Sequence, residues 1–421
     1  MNMLHRTAQL TGMRAVQLHG LGALASRLYV YLAGFAAMFL MAAHVSPSDF
    51  GEYSIYQSVM EVALVVATLG SPLLFARHAA TVPPGVRRGD VVRTLAIGLP
   101  LAALLSAAVL RIQRLPVAGA PFALLMATLA VFSLMSLRLS FSRGLGRAGL
   151  LNLEGGIRST ILVIGVAAFA AWGAELRATQ LLLINLLAFV LVGAACMQTR
   201  WVAGPPAGPA ALELASQGSA TVYSLLIFLL RKSDLLVVAF FMPLGYVGAF
   251  KIAFLLAEAP SQFVQAFLYT KTRPMLGTDP ANADGTDLRL ARHSFLLGCA
   301  LFAGLGVVIT AAAPLLKVGR EALEIFLCMA PYFLLRTYTV HHEMLLALRA
   351  SMGSLGRWAL AEVLLRLMAY GVVVSMFPGK PHYVFFIAAV SDLLLYEVRM
   401  RALLGFFPLA RLVRGSFQRP S

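Results

Sequence analysis

The chain has 421 residues, of which 60% are hydrophobic and 12% are charged, and its mean hydropathy is +0.82. Soluble domains carry about twice that charged fraction, so a soluble globular protein is excluded. Apolar runs of about 18 residues or more recur along the whole length, which indicates a polytopic, all-α membrane protein. The formal net charge of +16 therefore has to be interpreted against a membrane.

The ends of the chain and its cysteines suggest neither processing nor a metal site. The first twenty residues lack an apolar core and a small-residue cleavage site, so we expect a retained N-terminal segment. Cys196, Cys299 and Cys328 lie in apolar stretches without a CxxC spacing, so we expect no disulfide, metal or other cofactor. No P-loop sequence is present, which argues against ATP as the direct energy source.

The apolar runs predict about twelve membrane-spanning helices. These cover residues 22–45, 53–76, 91–111, 121–141, 157–173, 178–199, 220–241, 244–268, 294–316, 322–348, 359–377 and 383–407. An even number of spans places both termini on the same side of the membrane.

Lysine and arginine are distributed very unequally over the two sides. Of the 34 cations, 23 fall on the side of the termini, Arg158 among them, 6 on the opposite side and five inside spans. By the positive-inside rule this predicts cytoplasmic termini, here in a bacterial inner membrane. The net charge then reflects topology, and we expect no nucleic-acid partner.

A Gly/Pro/Ala-rich segment, "RWVAGPPAGPAALELASQGSA" at residues 200–220, divides the spans into two groups of six. We predict an N-terminal lobe over residues 1–205 and a C-terminal lobe over 206–421. When Gly51 is aligned with Gly248, Glu61 meets Glu258 and both glycines follow a proline-containing turn. This predicts a parallel 6+6 repeat around a central cavity, which is a transporter architecture.

Two stretches resemble a known family. "VSPSDFGEYSIYQSVMEV" followed by "LGSPLLFARHAA" resembles the first hairpin of the polysaccharide transport family, and "KSDLLVVAFFMPLGYVGAFKIAFLLAEAP" resembles its seventh and eighth spans. That family contains the O-antigen and exopolysaccharide repeat-unit flippases. It shares a superfamily with lipid II flippases and multidrug and toxin extruders.

Charged and polar residues inside the predicted spans are the candidate site residues. A charge facing lipid at the bilayer centre costs about 2.5–3.5 kcal/mol on insertion scales, so these groups must face one another or a water-filled cavity. We predict a substrate-binding set that consists of Arg231, Lys232, Asp234, Lys251, Glu258, Gln262, Glu61, Gln57 and Arg336.

Helical spacing predicts some local pairs. Arg231 can pair with Asp234 three residues on, and Glu362 can pair with Arg366 four residues on. Lys251, Glu258, Gln262 and Gln265 form one polar stripe, and Gln57 and Glu61 form a shorter one. The alternative interpretation is that such groups only hold helices together. Adjacent Arg231 and Lys232 are different, because one nearby acid cannot neutralise both, which favours a cavity that receives an anion.

The resemblance implies which anion this is. It implies a non-enzymatic flippase for undecaprenyl-pyrophosphate-linked oligosaccharide, working among membrane lipids by alternating access, with a polysaccharide polymerase and a chain-length regulator as partners. Arginine suits pyrophosphate through planar, multi-donor hydrogen bonding. The alternatives are a multidrug or toxin cation antiporter, a lipid II flippase and a polyprenyl-dependent membrane glycosyltransferase. Span one lacks an acid, and the predicted outer loops are short, which disfavours the antiporter and the enzyme respectively.

Overall fold

The fold was analysed in a computed structural model of the full chain. The structure describes residues 25–26, 28–72, 88–144, 149–173, 175–197, 214–269, 284–315, 319–349 and 352–404. The polar segment at 277–283, the N-terminal segment and the C-terminal seventeen residues lie outside these ranges.

The described ranges contain twelve long α-helices, one for each predicted span. They are α1 (Leu28–His44), α2 (Pro47–Ala67), α3 (Arg88–Ile112), α4 (Ala120–Gly144), α5 (Gly149–Ala171), α6 (Ala178–Met197), α7 (Leu214–Phe241), α8 (Leu244–Tyr269), α9 (Asp284–Ala312), α10 (Gly319–Arg349), α11 (Met352–Met376) and α12 (Val384–Leu404).

Seven of these helices contain a stretch that is long and apolar enough to cross a bilayer: α3, α4, α5, α8, α9, α10 and α11. Shorter apolar stretches lie in α1, α6 and α7. Several helices begin well before the predicted spans, because hydropathy detects only the apolar part of a helix. The helix α9, for example, begins at Asp284, whereas the predicted span begins at 294.

The start of α2 shows how a polar sequence sets a helix end. Ser46 is the N-cap and its hydroxyl accepts a hydrogen bond from the Asp49 amide at 3.1 Å, while Pro47 occupies the first helical turn. The Asp49 carboxylate also accepts the Ala178 amide at 3.3 Å, which ties the start of α2 to the start of α6. This explains why α2 begins six residues before the predicted span.

Short connections join α1 to α2, α3 to α4, α7 to α8 and α11 to α12. Contacts link these connections to one another and to the start of α6: Asp49 with Ala178, Gln113 Nε2 with the Leu236 carbonyl at 2.9 Å, and Tyr246 with His382. We call this end of the bundle the hairpin end.

Helix packing in the C half (α7–α12) repeats that in the N half (α1–α6). The pairs α2/α3, α2/α4, α3/α4, α4/α6 and α5/α6 have the counterparts α8/α9, α8/α10, α9/α10, α10/α12 and α11/α12. In the same way α1 contacts α5, through Tyr29 and Thr160, as α7 contacts α11. Equivalent helices therefore occupy equivalent places in the two halves.

The two halves meet where α2 packs on α8, close to the hairpin end. A Cβ atom at Gly51 would lie 1.9 Å from the Leu244 carbonyl oxygen, and one at Gly248 would lie 3.1 Å from the Pro47 carbonyl oxygen. The shift of 197 residues that equates Gly51 with Gly248 also equates Pro47 with Leu244. The contact is thus reciprocal, as expected for a pseudo-twofold axis.

Candidate functional site

A buried ion cluster joins four helices of the C half. Arg366 on α11 donates from Nη1 to both carboxylate oxygens of Asp234 on α7, at 3.4 Å each. Its Nη2 donates to Asp392 on α12 at 2.5 Å. The side chains of Arg366 and Asp234 are only 3% and 2% exposed, so this ion pair lies almost entirely out of contact with solvent and lipid.

Two tyrosines complete the cluster. The Tyr370 hydroxyl donates to Asp234 at 2.9 Å, and the Tyr332 hydroxyl of α10 accepts from Arg366 Nη2 at 2.8 Å. The guanidinium carbon also lies 4.5 Å from the centre of the Tyr332 ring, which is a cation–π contact. Arg336, one turn beyond Tyr332, is half-buried and interacts electrostatically with Asp392.

These partners differ from those that local spacing predicts. Arg366 forms its ion pairs with Asp234 and Asp392, on other helices, whereas Glu362 forms one with Arg399 at 3.7 Å. The side chains of Arg231 and Lys232 lie outside the described part of the structure, so their predicted roles stay predictions. Asp392 was missed as a member of the cluster, because nothing in its local sequence links it to α7 or α11.

The predicted polar stripe on α8 is buried in the middle of the bundle. Lys251 and Glu258 are almost fully buried, and Gln262 is half-buried and donates to Glu258 at 2.9 Å. The helix packs against α2, α9 and α10. Its charged groups therefore face neighbouring helices and not lipid, as their cost in hydrocarbon requires.

The predicted stripe on α2 lies beside an arginine that the sequence analysis placed elsewhere. Gln57 and Glu61 are half-buried. Glu61 and Arg158 both act electrostatically on the Tyr53 hydroxyl, and the Arg158 guanidinium lies 4.8 Å from the Phe189 ring centre. Arg158 was counted on the cytoplasmic side, and it lies near the start of the apolar stretch of α5, Glu154–Ala171.

A third polar group lies at the hairpin end of the C half. Lys380 donates to Glu324 at 2.7 Å, and the buried His382 has Nε2 3.8 Å from the same carboxylate. The Nδ1 atom of His382 forms a hydrogen bond with the Tyr246 hydroxyl. Burial lowers the pKa of His382 to about 4, although Glu324 acts in the opposite direction and Lys380 adds to the decrease. His382 is therefore neutral at physiological pH.

Metal ligands are not grouped in the part of the chain that the structure describes, where no three His, Cys, Asp or Glu side chains are placed to hold an ion. Cys299 and Cys328 are free thiols. The side chain of Cys196 and those of His341, His342 and Glu343 lie outside the described residues.

No protein-family model matches the chain, and no curated protein matches it in sequence. Solved structures do resemble it. One is a multidrug resistance MATE family transporter of the MOP superfamily in its inward-facing conformation. It has a TM-score of 0.65 at 12% identity, and the match covers 92% of this chain and 99% of the transporter. The lipid II flippase MurJ, in an inward closed conformation, has a TM-score of 0.64 at 11% identity, covering 93% and 89%.

A MOP superfamily transporter from Pyrococcus furiosus also resembles the chain, with a TM-score of 0.51 at 11% identity over 96% of this chain and 95% of that one. Its structure is described as having a binding pocket of reverse polarity. At these identities the likeness shows the fold. The chain is a multi-pass, all-α membrane protein with the fold of MOP superfamily transporters, and the solved structures it resembles are transporters, not enzymes.

Proposed function

We propose that this protein is an alternating-access transporter that moves undecaprenyl-pyrophosphate-linked oligosaccharide across the bacterial inner membrane. The two six-helix halves, residues 1–205 and 206–421, act as lobes around a central cavity, with both termini in the cytoplasm. The full-length fold likeness to MOP transporters supports the transport mechanism. The resemblance of the α1–α2 and α7–α8 segments to the polysaccharide transport family supports the substrate.

The observation that best supports an anionic substrate is that two buried carboxylates already have fixed partners. A cation exporter needs an acid that is available to its substrate. Asp234 and Asp392 already face the fixed guanidinium of Arg366, and Arg336 also acts electrostatically on Asp392, so a transported cation would have to compete with these arginines for the two carboxylates. The cations Arg231, Lys232, Lys251 and Arg336 are then the groups that hold the pyrophosphate, while the sugar fills the polar cavity and the lipid tail stays in the bilayer.

The test is the leaflet distribution of lipid-linked oligosaccharide in cells whose only copy of the protein carries Arg231→Ala and Lys232→Ala. We expect the intermediate to accumulate on the cytoplasmic leaflet at normal protein level. The matched control is Arg111→Ala with Arg114→Ala, two exposed arginines at the hairpin end, which should leave crossing unchanged. If the lipid-linked oligosaccharide crosses normally in the Arg231/Lys232 variant, the proposed role of these two cations is wrong. If it crosses normally in cells without the protein, the flippase function is wrong.

A cation antiporter is the second candidate, because the fold resembles the MATE transporter as closely as the lipid II flippase. Glu61 and Glu258 are its best carboxylates. This candidate predicts that cells expressing the protein export ethidium, and that Glu61→Gln and Glu258→Gln abolish the export. Ethidium retention equal to that of empty-vector cells would exclude it.

A further inference from the structure

Helices α5 and α11, which occupy equivalent places, carry the same pair of charged residues. Glu154 and Arg158 are four apart on α5, and Glu362 and Arg366 are four apart on α11. The partner helices match as well: "INLLAF" at 184–189 of α6 aligns with "SDLLLY" at 391–396 of α12. Arg158 is therefore the counterpart of Arg366, and Asn185 is the counterpart of Asp392.

The two arginines differ in what neutralises them. Arg366 lies between Asp234 and Asp392. In the N half Asn185 replaces Asp392, and the 197-residue shift that equates Gly51 with Gly248 places the buried Ala37 opposite Asp234. Both positions that carry a carboxylate in the C half are thus uncharged in the N half, whereas both halves carry the arginine.

The surroundings of Arg158 agree with this comparison. Among the described residues, its guanidinium has a cation–π contact with Phe189 but no hydrogen bond or ion pair. A ring face stabilises the charge and leaves the N–H donors without acceptors. Asn185, one turn from Phe189 on the same helix face, is 3% exposed, and the buried Arg158 Nε has no hydrogen-bond partner within the described ranges. Buried polar groups of this kind normally have partners.

We propose that Arg158 binds a phosphoryl group of the transported molecule, with Asn185 as a neighbouring hydrogen-bond donor. This inference rests on the proposed function, in which the substrate carries a pyrophosphate. The substrate supplies in the N half the negative charge that Asp234 and Asp392 supply in the C half. Glu61 shares this region, because it acts on the same Tyr53 hydroxyl, and its carboxylate opposes the incoming anion.

The experiment measures the binding of undecaprenyl pyrophosphate and of undecaprenol, which lacks the phosphates, to the purified full-length chain by native mass spectrometry. Arg158→Gln should weaken pyrophosphate binding about tenfold or more, the loss expected for charge-assisted hydrogen bonds, and leave undecaprenol binding unchanged. The exposed Arg111→Gln is the matched control. If the wild-type chain binds undecaprenyl pyrophosphate and Arg158→Gln binds it equally well, the assignment of Arg158 is overturned but the proposed function is not.

Failure of the proposed function gives a different result: the wild-type chain would show no preference for the pyrophosphate over undecaprenol. If Arg158→Gln does not fold, Glu61→Gln decides, because it removes the opposing charge and leaves the arginine in place. Tighter pyrophosphate binding by Glu61→Gln supports the site at Arg158. Unchanged binding by a folded Glu61→Gln protein counts against it.

Discussion

Gly51 and Leu244 touch at the junction of the two halves, with so little space that a single Cβ atom on Gly51 would overlap the Leu244 carbonyl group. The atom it would meet belongs to the backbone of α8, which cannot rotate away as a side chain can. Closure of the junction at the hairpin end therefore depends on the absence of a side chain at position 51.

Gly51→Ala should force α2 and α8 apart at the hairpin end, because overpacking of this kind costs about 1–3 kcal/mol or more. We expect a longer distance between spin labels at Trp172 in the N half and Leu315 in the C half, both strongly exposed at this end. Double electron–electron resonance spectroscopy of the protein in nanodiscs measures that distance. The control is Gly304→Ala on α9, where a Cβ meets nothing within 4 Å. An unchanged distance in Gly51→Ala would show that α2 and α8 can close by another route.

Loss of one member of the buried ion cluster should unfold the C half far more easily. Arg366→Met leaves the carboxylates of Asp234 and Asp392 without their arginine, which costs about 3–5 kcal/mol, whereas Asp234→Asn leaves Arg366 paired with Asp392 and should cost less. Glu362→Gln, which breaks a more exposed pair with Arg399, should cost about 1 kcal/mol or less. Thermal unfolding in detergent compares the three. Equal unfolding midpoints for Arg366→Met and Glu362→Gln would contradict the assignment of the cluster as the main polar interaction that holds this half together.

Tyr332 makes two separable interactions with Arg366, and substitution can divide them. Tyr332→Phe removes the hydroxyl acceptor but keeps the ring, so we expect a loss of about 1.5–3 kcal/mol for the hydrogen bond to a charged group. Tyr332→Leu removes the cation–π contact as well, and we expect a further loss of about 1 kcal/mol. Thermal unfolding in detergent ranks the stabilities of the wild-type protein and the two variants. A Leu variant as stable as the Phe variant would show that the ring contact adds nothing.

His382 should make stability depend on pH in the acidic range. Its folded pKa, about 4 because of burial, lies below the ordinary value of about 6.5 in an unfolded chain. Between these values the unfolded chain binds more protons, so stability is constant above about pH 7 and falls as the pH drops from about 6.5 towards 4. His382→Gln should show a smaller fall in unfolding midpoint between pH 7.5 and 5. An equal fall in both proteins would mean that other groups carry the acid sensitivity.

The apolar runs predicted the places of the twelve helices, because each long apolar run has to satisfy its backbone hydrogen bonds internally in lipid, and seven of these helices contain a stretch long and apolar enough to cross a bilayer. Ends were predicted less well where a cap such as Ser46 begins the helix outside the apolar run. Local spacing also gave part of the polar pattern, since Glu258 and Gln262 do bond along one face of α8.

The ion cluster could not be predicted in the same way. Asp234 and Arg366 are 132 residues apart, and no local rule of the helix relates them. Arg158 was not included in the candidate site, because it stands near the start of a predicted span, where the topology count treats cations as facing the cytoplasm. The shared spacing of Glu154 with Arg158 and of Glu362 with Arg366 was the signal that could have identified it.

The separation of Asp234 from Arg366 also bears on how the protein is made. A ribosome completes α7 long before it reaches α11, so the seventh helix is made before Asp234 can pair with Arg366. Only when α11 and α12 arrive can Arg366 join Asp234 and Asp392 in one cluster. A chain interrupted before Met352 would carry Asp234 without Arg366 and could not form the cluster.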